Sequence, residues 1–70
     1  MGKEYYVIMR EYYGFPEYLD TDLSDEEDCF EFDTEHEANQ CLKQIFNNGE
    51  WMKDERYGKV RHYVERRVER

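Results

Sequence analysis

Seventy residues fit one domain, since domains commonly run to ~100–150 residues, and a chain this short buries only about 60% of its unfolded surface, so its core is thin. Eighteen Asp and Glu against ten Lys and Arg give a net charge of −8, which argues against direct binding to nucleic acid or to an anionic membrane face, because both select basic surfaces. The longest apolar run, Tyr5 to Met9, is far short of the ~20 residues of a membrane helix or of a secretory core. Cys29 and Cys41 lack CxxC spacing, so the expectation is a reducing, cytoplasmic setting and no cofactor.

The first predicted element is a strand over Glu4 to Tyr13, rich in the Tyr, Val and Ile that suit a pleated surface. Alternation puts Tyr5, Val7 and Met9 on one face and Tyr6, Ile8, Arg10 and Tyr12 on the other. Gly14-Phe15-Pro16 breaks the strand, because proline cannot donate to a ladder. Glu17 to Glu27 lacks apolar periodicity and reads as an acidic loop. A second strand is expected over Asp28 to Asp33, with Phe30 and Phe32 inward.

Thr34-Glu35-His36-Glu37 matches a capping box, the hydroxyl bonding the N–H of Glu37 while the carboxylate reaches back. Ala38, Cys41, Leu42, Ile45 and Phe46 then recur as one apolar helical stripe. Asn47-Asn48-Gly49 supplies residues that tolerate the left-handed backbone ending a helix. Glu50 to Arg56 reads as a short helical turn, and a last strand covers Lys59 to Val68 with Val60, His62, Val64, Arg66 and Val68 on one face. The expected fold is α+β, a single acidic domain over residues 1–70: β-β-α-β with three antiparallel strands in the order 2-1-3. One helix packs on one face, leaving tyrosines exposed on the other.

Catalytic and metal signals are weak. Ser24 is the only serine, Cys41 falls on the apolar stripe, and His36 and His62 lack Cys or His partners at ligand spacing. There is no phosphate-binding glycine motif. The expectation is a protein that is not an enzyme. Asp20, Asp22, Ser24, Asp28 and Glu31 match the spacing of a calcium loop, but Asp25 occupies the sixth place, where that loop's turn needs glycine. A calcium-binding loop over Asp20 to Glu31 is therefore a minor alternative.

Charge distribution is the informative feature. Residues 17–37 hold eleven acids and no Lys or Arg, whereas residues 56–70 are basic. Concentrated like charge destabilises a thin core through self-repulsion, and here it extends past the loop onto ordered elements. Glu31 and Asp33 would share a strand face at about 6.6 Å. Glu35 and Glu37 continue into the first helical turn, where the helix dipole favours carboxylates. Ordered negative charge at that pitch resembles a phosphate backbone and would attract a protein that holds DNA through Lys and Arg. Candidate partner-binding residues are Asp20, Asp22, Asp25, Glu26, Glu27, Asp28, Glu31, Asp33, Glu35 and Glu37. Tyr6, Tyr12, Tyr13 and Tyr18 could flank them as anchors or serve an adaptor that binds through its sheet face. The basic end could pair with acids of its own chain or of a second copy, an exposed edge strand giving a route to a homodimer.

The Tyr5-Tyr6-Val7-Ile8-Met9 opening, the acidic Asp20 to Asp28 stretch and Phe32-Asp33-Thr34 resemble the small acidic host-takeover proteins of lytic bacteriophages. In size and charge the chain is similar to the Bacillus phage DNA-mimic inhibitors of the nucleoid-associated protein HU. The resemblance implies an inhibitor that occupies the DNA-binding surface of a basic host protein, an HU-like dimer first. It would act in the host bacterial cytoplasm without touching nucleic acid or membrane. A restriction, CRISPR or transcription protein is the alternative target.

Overall fold

A computed structural model describes residues 2–26 and 30–69. The chain is α+β, with one helix on an antiparallel sheet. Its elements are β1 (Lys3–Tyr12), β2 (Thr21–Asp22), β3 (Glu31–Phe32), α1 (Glu35–Ile45), β4 (Met52–Asp54) and β5 (Gly58–Glu69). The sheet has five strands rather than the expected three. It runs β2-β1-β5-β4, with β3 also paired to β1, so the expected order is replaced.

The backbone of the sheet is the long antiparallel ladder of β1 and β5, from Lys3 opposite Glu69 to Tyr12 opposite Val60. On the other side of β1, Met9 faces Asp22 of β2 and Val7 faces Glu31 of β3. The expected acidic loop therefore contains a short strand, β2, paired to β1, and after it a 3₁₀ turn at Leu23–Asp25 that drives Leu23 into the core at 2% exposure. One apolar residue among acids gives no periodic signal, yet burying it is worth about 1.5–3 kcal/mol. The expected second strand shrinks to Glu31–Phe32. Phe30 and Asp33 fall outside it, and residues 28 and 29 lie outside the described residues.

Thr34 caps α1 as expected: its Oγ1 accepts from the Glu37 N–H at 3.2 Å and donates to the Glu37 carboxylate at 3.0 Å. Ala38 and Phe46 are buried, and Cys41 and Leu42 pack against the cluster of Ile8, Leu23 and Phe46. Ile45 departs from the stripe and is 58% exposed, because the helix ends there and the chain turns away through Asn47, Asn48 and Gly49, all at positive φ. Gly49 has no spare room: a Cβ there would stand 3.1 Å from the His62 carbonyl oxygen.

The expected helical turn over Glu50 to Arg56 is instead β4 and the start of a hairpin. Asp54 closes it, its Oδ2 accepting from the N–H groups of Arg56 and Tyr57. Asx chemistry at Asp54 and the positive φ of Gly58 decide the hairpin locally, overriding weak helical propensity.

By alternation, Ile8 lies on the helix side of β1 and Val7 and Met9 on the other. That second face carries Tyr5 and, opposite Met9, Tyr63, but both are half-buried rather than exposed as expected. Val7 is 0% and Met9 7% exposed, and the Arg67 guanidinium lies 3.6 Å from the Met9 sulfur. No helix among the described residues is long and apolar enough to cross a membrane.

Candidate functional site

The acids divide into two groups according to what they touch. Asp22 is built into the fold. Its Oδ1 accepts from the Ser24 N–H and hydroxyl at 2.9 and 2.6 Å, and its Oδ2 meets Arg67 at 2.9 Å. Only 12% of its side chain is exposed. Asp20 accepts a 2.5 Å hydrogen bond from the Tyr63 hydroxyl. Burial and that carboxylate together push the Tyr63 phenol well above its ordinary range. These two acids anchor the strand β2 and its approach to the far face of the sheet.

Asp25 and Glu26 are exposed at the end of the 3₁₀ turn, Glu31 is exposed on β3, and Glu35 and Glu37 are exposed in the first turn of α1. None of these five makes an ion pair with a described residue. Asp33 pairs with Lys3 at 3.5 Å but keeps 77% of its side chain exposed. It has left the strand, so the expected Glu31–Asp33 row along one strand face does not form. The pitch arises instead between strands. Asp22 and Glu31 stand opposite Met9 and Val7, two residues and about 6.6 Å apart along β1. Arg67 offsets the Asp22 charge, and among the described residues from 25 to 37 the exposed acids without an ion pair are Asp25, Glu26, Glu31, Glu35 and Glu37. Glu27 and Asp28 lie outside the described residues.

The arginines of β5 form their ion pairs with other acids, although Arg66 lines one groove together with Glu35. Arg61 pairs with Glu11 at 2.8 Å, Arg66 with Glu4 at 2.7 Å, and Arg67 with Glu65 at 2.7 Å as well as with Asp22. The hydrogen bond to Glu65 holds the Arg67 guanidinium even more firmly in its charged form. Cross-strand ion pairs between β1 and β5 thus neutralise the ladder and leave exposed acids at the β3 and α1 side. Among the described residues no group of three His, Cys, Asp or Glu is placed to hold a metal ion. Of the calcium-loop residues, Asp20, Asp22 and Ser24 are engaged as above.

Sequence reading missed an aromatic cluster at the hairpin end. Tyr12 meets Tyr57 and Tyr18 edge to face at 4.7 and 5.6 Å, and Tyr18 stacks on Phe15 at 5.0 Å. Tyr12 also bonds the Thr21 hydroxyl at 2.6 Å. Lys59 lies over Tyr13, Tyr13 meets Trp51 edge to face, and Arg61 lies over Trp51. An open groove of about 710 Å³ runs beside them between Tyr13–Phe15 and the 53–59 hairpin. Tyr12 is half-buried in this cluster and Tyr6 is half-buried beside Glu35 and Arg66. Tyr13 and Tyr18 remain open at 58% and 45%.

His62 is 2% exposed under Phe46, with ring centroids 4.2 Å apart. Its Nε2 accepts from the Arg10 Nε–H at 3.1 Å, and its buried Nδ1 has no partner among the described residues. Burial first, and the Arg10 charge second, lower its pKa to about 4. It is a neutral core residue. Comparison with protein-family models, with curated proteins and with solved structures finds no match for this chain.

Proposed function

We propose that the chain is a non-enzymatic DNA mimic that binds the DNA-binding surface of a basic protein and blocks it. The observation that supports this most is the separation of charge just described. Glu31, Glu35 and Glu37, with Asp25 and Glu26, sit exposed and form no ion pair among the described residues, while the arginines of β5 are bound to Glu4, Glu11, Glu65 and Asp22. A solubilising tail would not need strand pairing, a capping box and a 3₁₀ turn to hold its carboxylates. Fixed carboxylates incur less ordering entropy on binding than floppy ones, and they draw a Lys- and Arg-rich surface by the same counterion release that DNA uses. The phage resemblance makes an HU-like dimer the first candidate target, acting in the bacterial cytoplasm. Asp20 and Asp22 serve this function from behind, as positioning residues.

The test is competition. An HU-type protein is loaded onto labelled DNA, and the chain is titrated in. The wild-type chain displaces the DNA. A variant carrying D25N, E26Q, E31Q and E35Q keeps its circular dichroism spectrum and does not displace it. Undiminished displacement by that folded variant refutes the assignment.

A further inference from the structure

β5 is twelve residues long, but β4 covers its outer edge only at Gly58, Lys59 and Val60. The turn at Asn47–Gly49 then lies against it at His62. From Tyr63 to Glu69 no strand stands beside that edge among the described residues. Which backbone groups face outward follows from one bond. The Tyr13 N–H donates to the Lys59 carbonyl, so odd-numbered residues of β5 turn their polar groups toward the β1 side. Strand alternation then places the N–H and C=O of Val64, Arg66 and Val68 on the open edge, where they template pairing.

We infer that the occupant of this edge is a second copy of β5, antiparallel across a two-fold axis normal to the sheet at Arg66. Three features agree on that register. Arg66 is the midpoint of the open segment, so two copies pair along its whole length without either reaching the part covered by β4 and Gly49. The axis sets Val64 opposite the partner's Val68, and Arg66 opposite the partner's Arg66, joining outward-facing groups to outward-facing groups. Side chains match as well: Val68, 51% exposed, is covered on the helix side by the partner's Val64. On the other face Glu65 meets the partner's Arg67, extending each chain's own Arg67–Glu65 pair into alternating charges. Arg66 meets its own copy, but Glu4 already binds it at 2.7 Å.

Charge also selects this edge over the other. β2 and β3 lie on the far side of β1, so pairing through β5 sends the acidic edges to opposite ends of one continuous sheet, several strand spacings of ~4.8 Å apart. Pairing through β2 or β3 would oppose two acidic rows. The dimer stands independently of the proposed function, since it uses none of the exposed acids assigned there.

Sedimentation equilibrium of the full chain should give twice the 8.7 kDa chain mass, falling to the monomer on dilution. In the dimer the amides of Val64, Arg66 and Val68 exchange as slowly as those of Val7 and Ile8, and dilution speeds them selectively. Arg66→Cys, with Cys29 and Cys41 changed to serine, should oxidise to a covalent dimer. Opposed Cα atoms at such a pair are about 5.5 Å apart, within disulfide reach. A monomer up to millimolar concentration overturns the inference. So does a dimer in which those three amides exchange freely, and this reading of the wild-type chain holds whether or not the cysteine variant folds.

Discussion

Changing His62 to glutamine should remove a defined part of the acid sensitivity of this fold. Arg10 donates to Nε2, so His62 must be neutral in the native state. Its pKa is about 4 in the fold against 6.5 for a free histidine. At about 1.4 kcal/mol for each tenfold change in proton affinity, this corresponds to roughly 3 kcal/mol. The sign follows from which state takes up the proton. Between pH 6.5 and 4 the unfolded chain binds a proton that the native chain refuses, so stability present in full above the unfolded value is lost as pH falls through that window. Below 4 the loss levels off. Against a total stability of about 5–15 kcal/mol, less for so small a core, the term is large.

Glutamine can still accept from Arg10 through its carbonyl but does not titrate. It should cost about 1–2 kcal/mol at pH 7 through lost contact with Phe46. Urea unfolding of both proteins at steps between pH 7 and 4 measures the difference directly, because the carboxylates are common to both. The wild-type advantage at pH 7 should shrink and reverse by pH 4. A constant difference across the range would mean that folding does not shift the titration of His62.

Leu23→Ala should cost about 2–4 kcal/mol in thermal or urea unfolding, since it opens a hole beside Ile8 and Phe46 in a chain with few buried apolar residues. Asp22→Ala should cost about 1–2 kcal/mol, through the lost cap at Ser24 and the lost ion pair to Arg67, whereas Asp25→Ala should fall within about 0.5 kcal/mol. Equal costs would mean that Asp22 is as peripheral as its neighbours. Thr34→Ala should remove about 1 kcal/mol and lower helicity at 222 nm at the start of α1.

What the sequence made legible follows the length of the signal. β1, the Thr34 cap, the stripe through Ala38, Cys41, Leu42 and Phe46, and β5 each rest on several periodic residues, and all stand in the structure. β2, β3 and β4 span two or three residues, too few for alternation to register, and they exist because the long edges of β1 and β5 offer partners. Ile45 continued the stripe on paper, but the helix terminates under it. The aromatic cluster is a tertiary event: Tyr12, Tyr18 and Tyr57 meet only because the hairpin folds back over the Phe15 turn. Among the candidate site residues, the sequence could not separate Asp20 and Asp22 from Asp25 or Glu31. The difference lies in Tyr63, Ser24 and Arg67, and two of those are more than forty residues away along the chain.

In the proposed function, exposed carboxylates held on ordered backbone carry the binding. The most direct test of that role is the dependence on salt of the affinity between the wild-type chain and an HU-type protein, measured by calorimetry. The logarithm of the association constant should fall steeply and linearly with the logarithm of salt concentration, with a smaller slope for the D25N/E26Q/E31Q/E35Q variant. Affinity that holds steady as salt rises, as expected for docking through Tyr13, Tyr18 and Trp51, would contradict it.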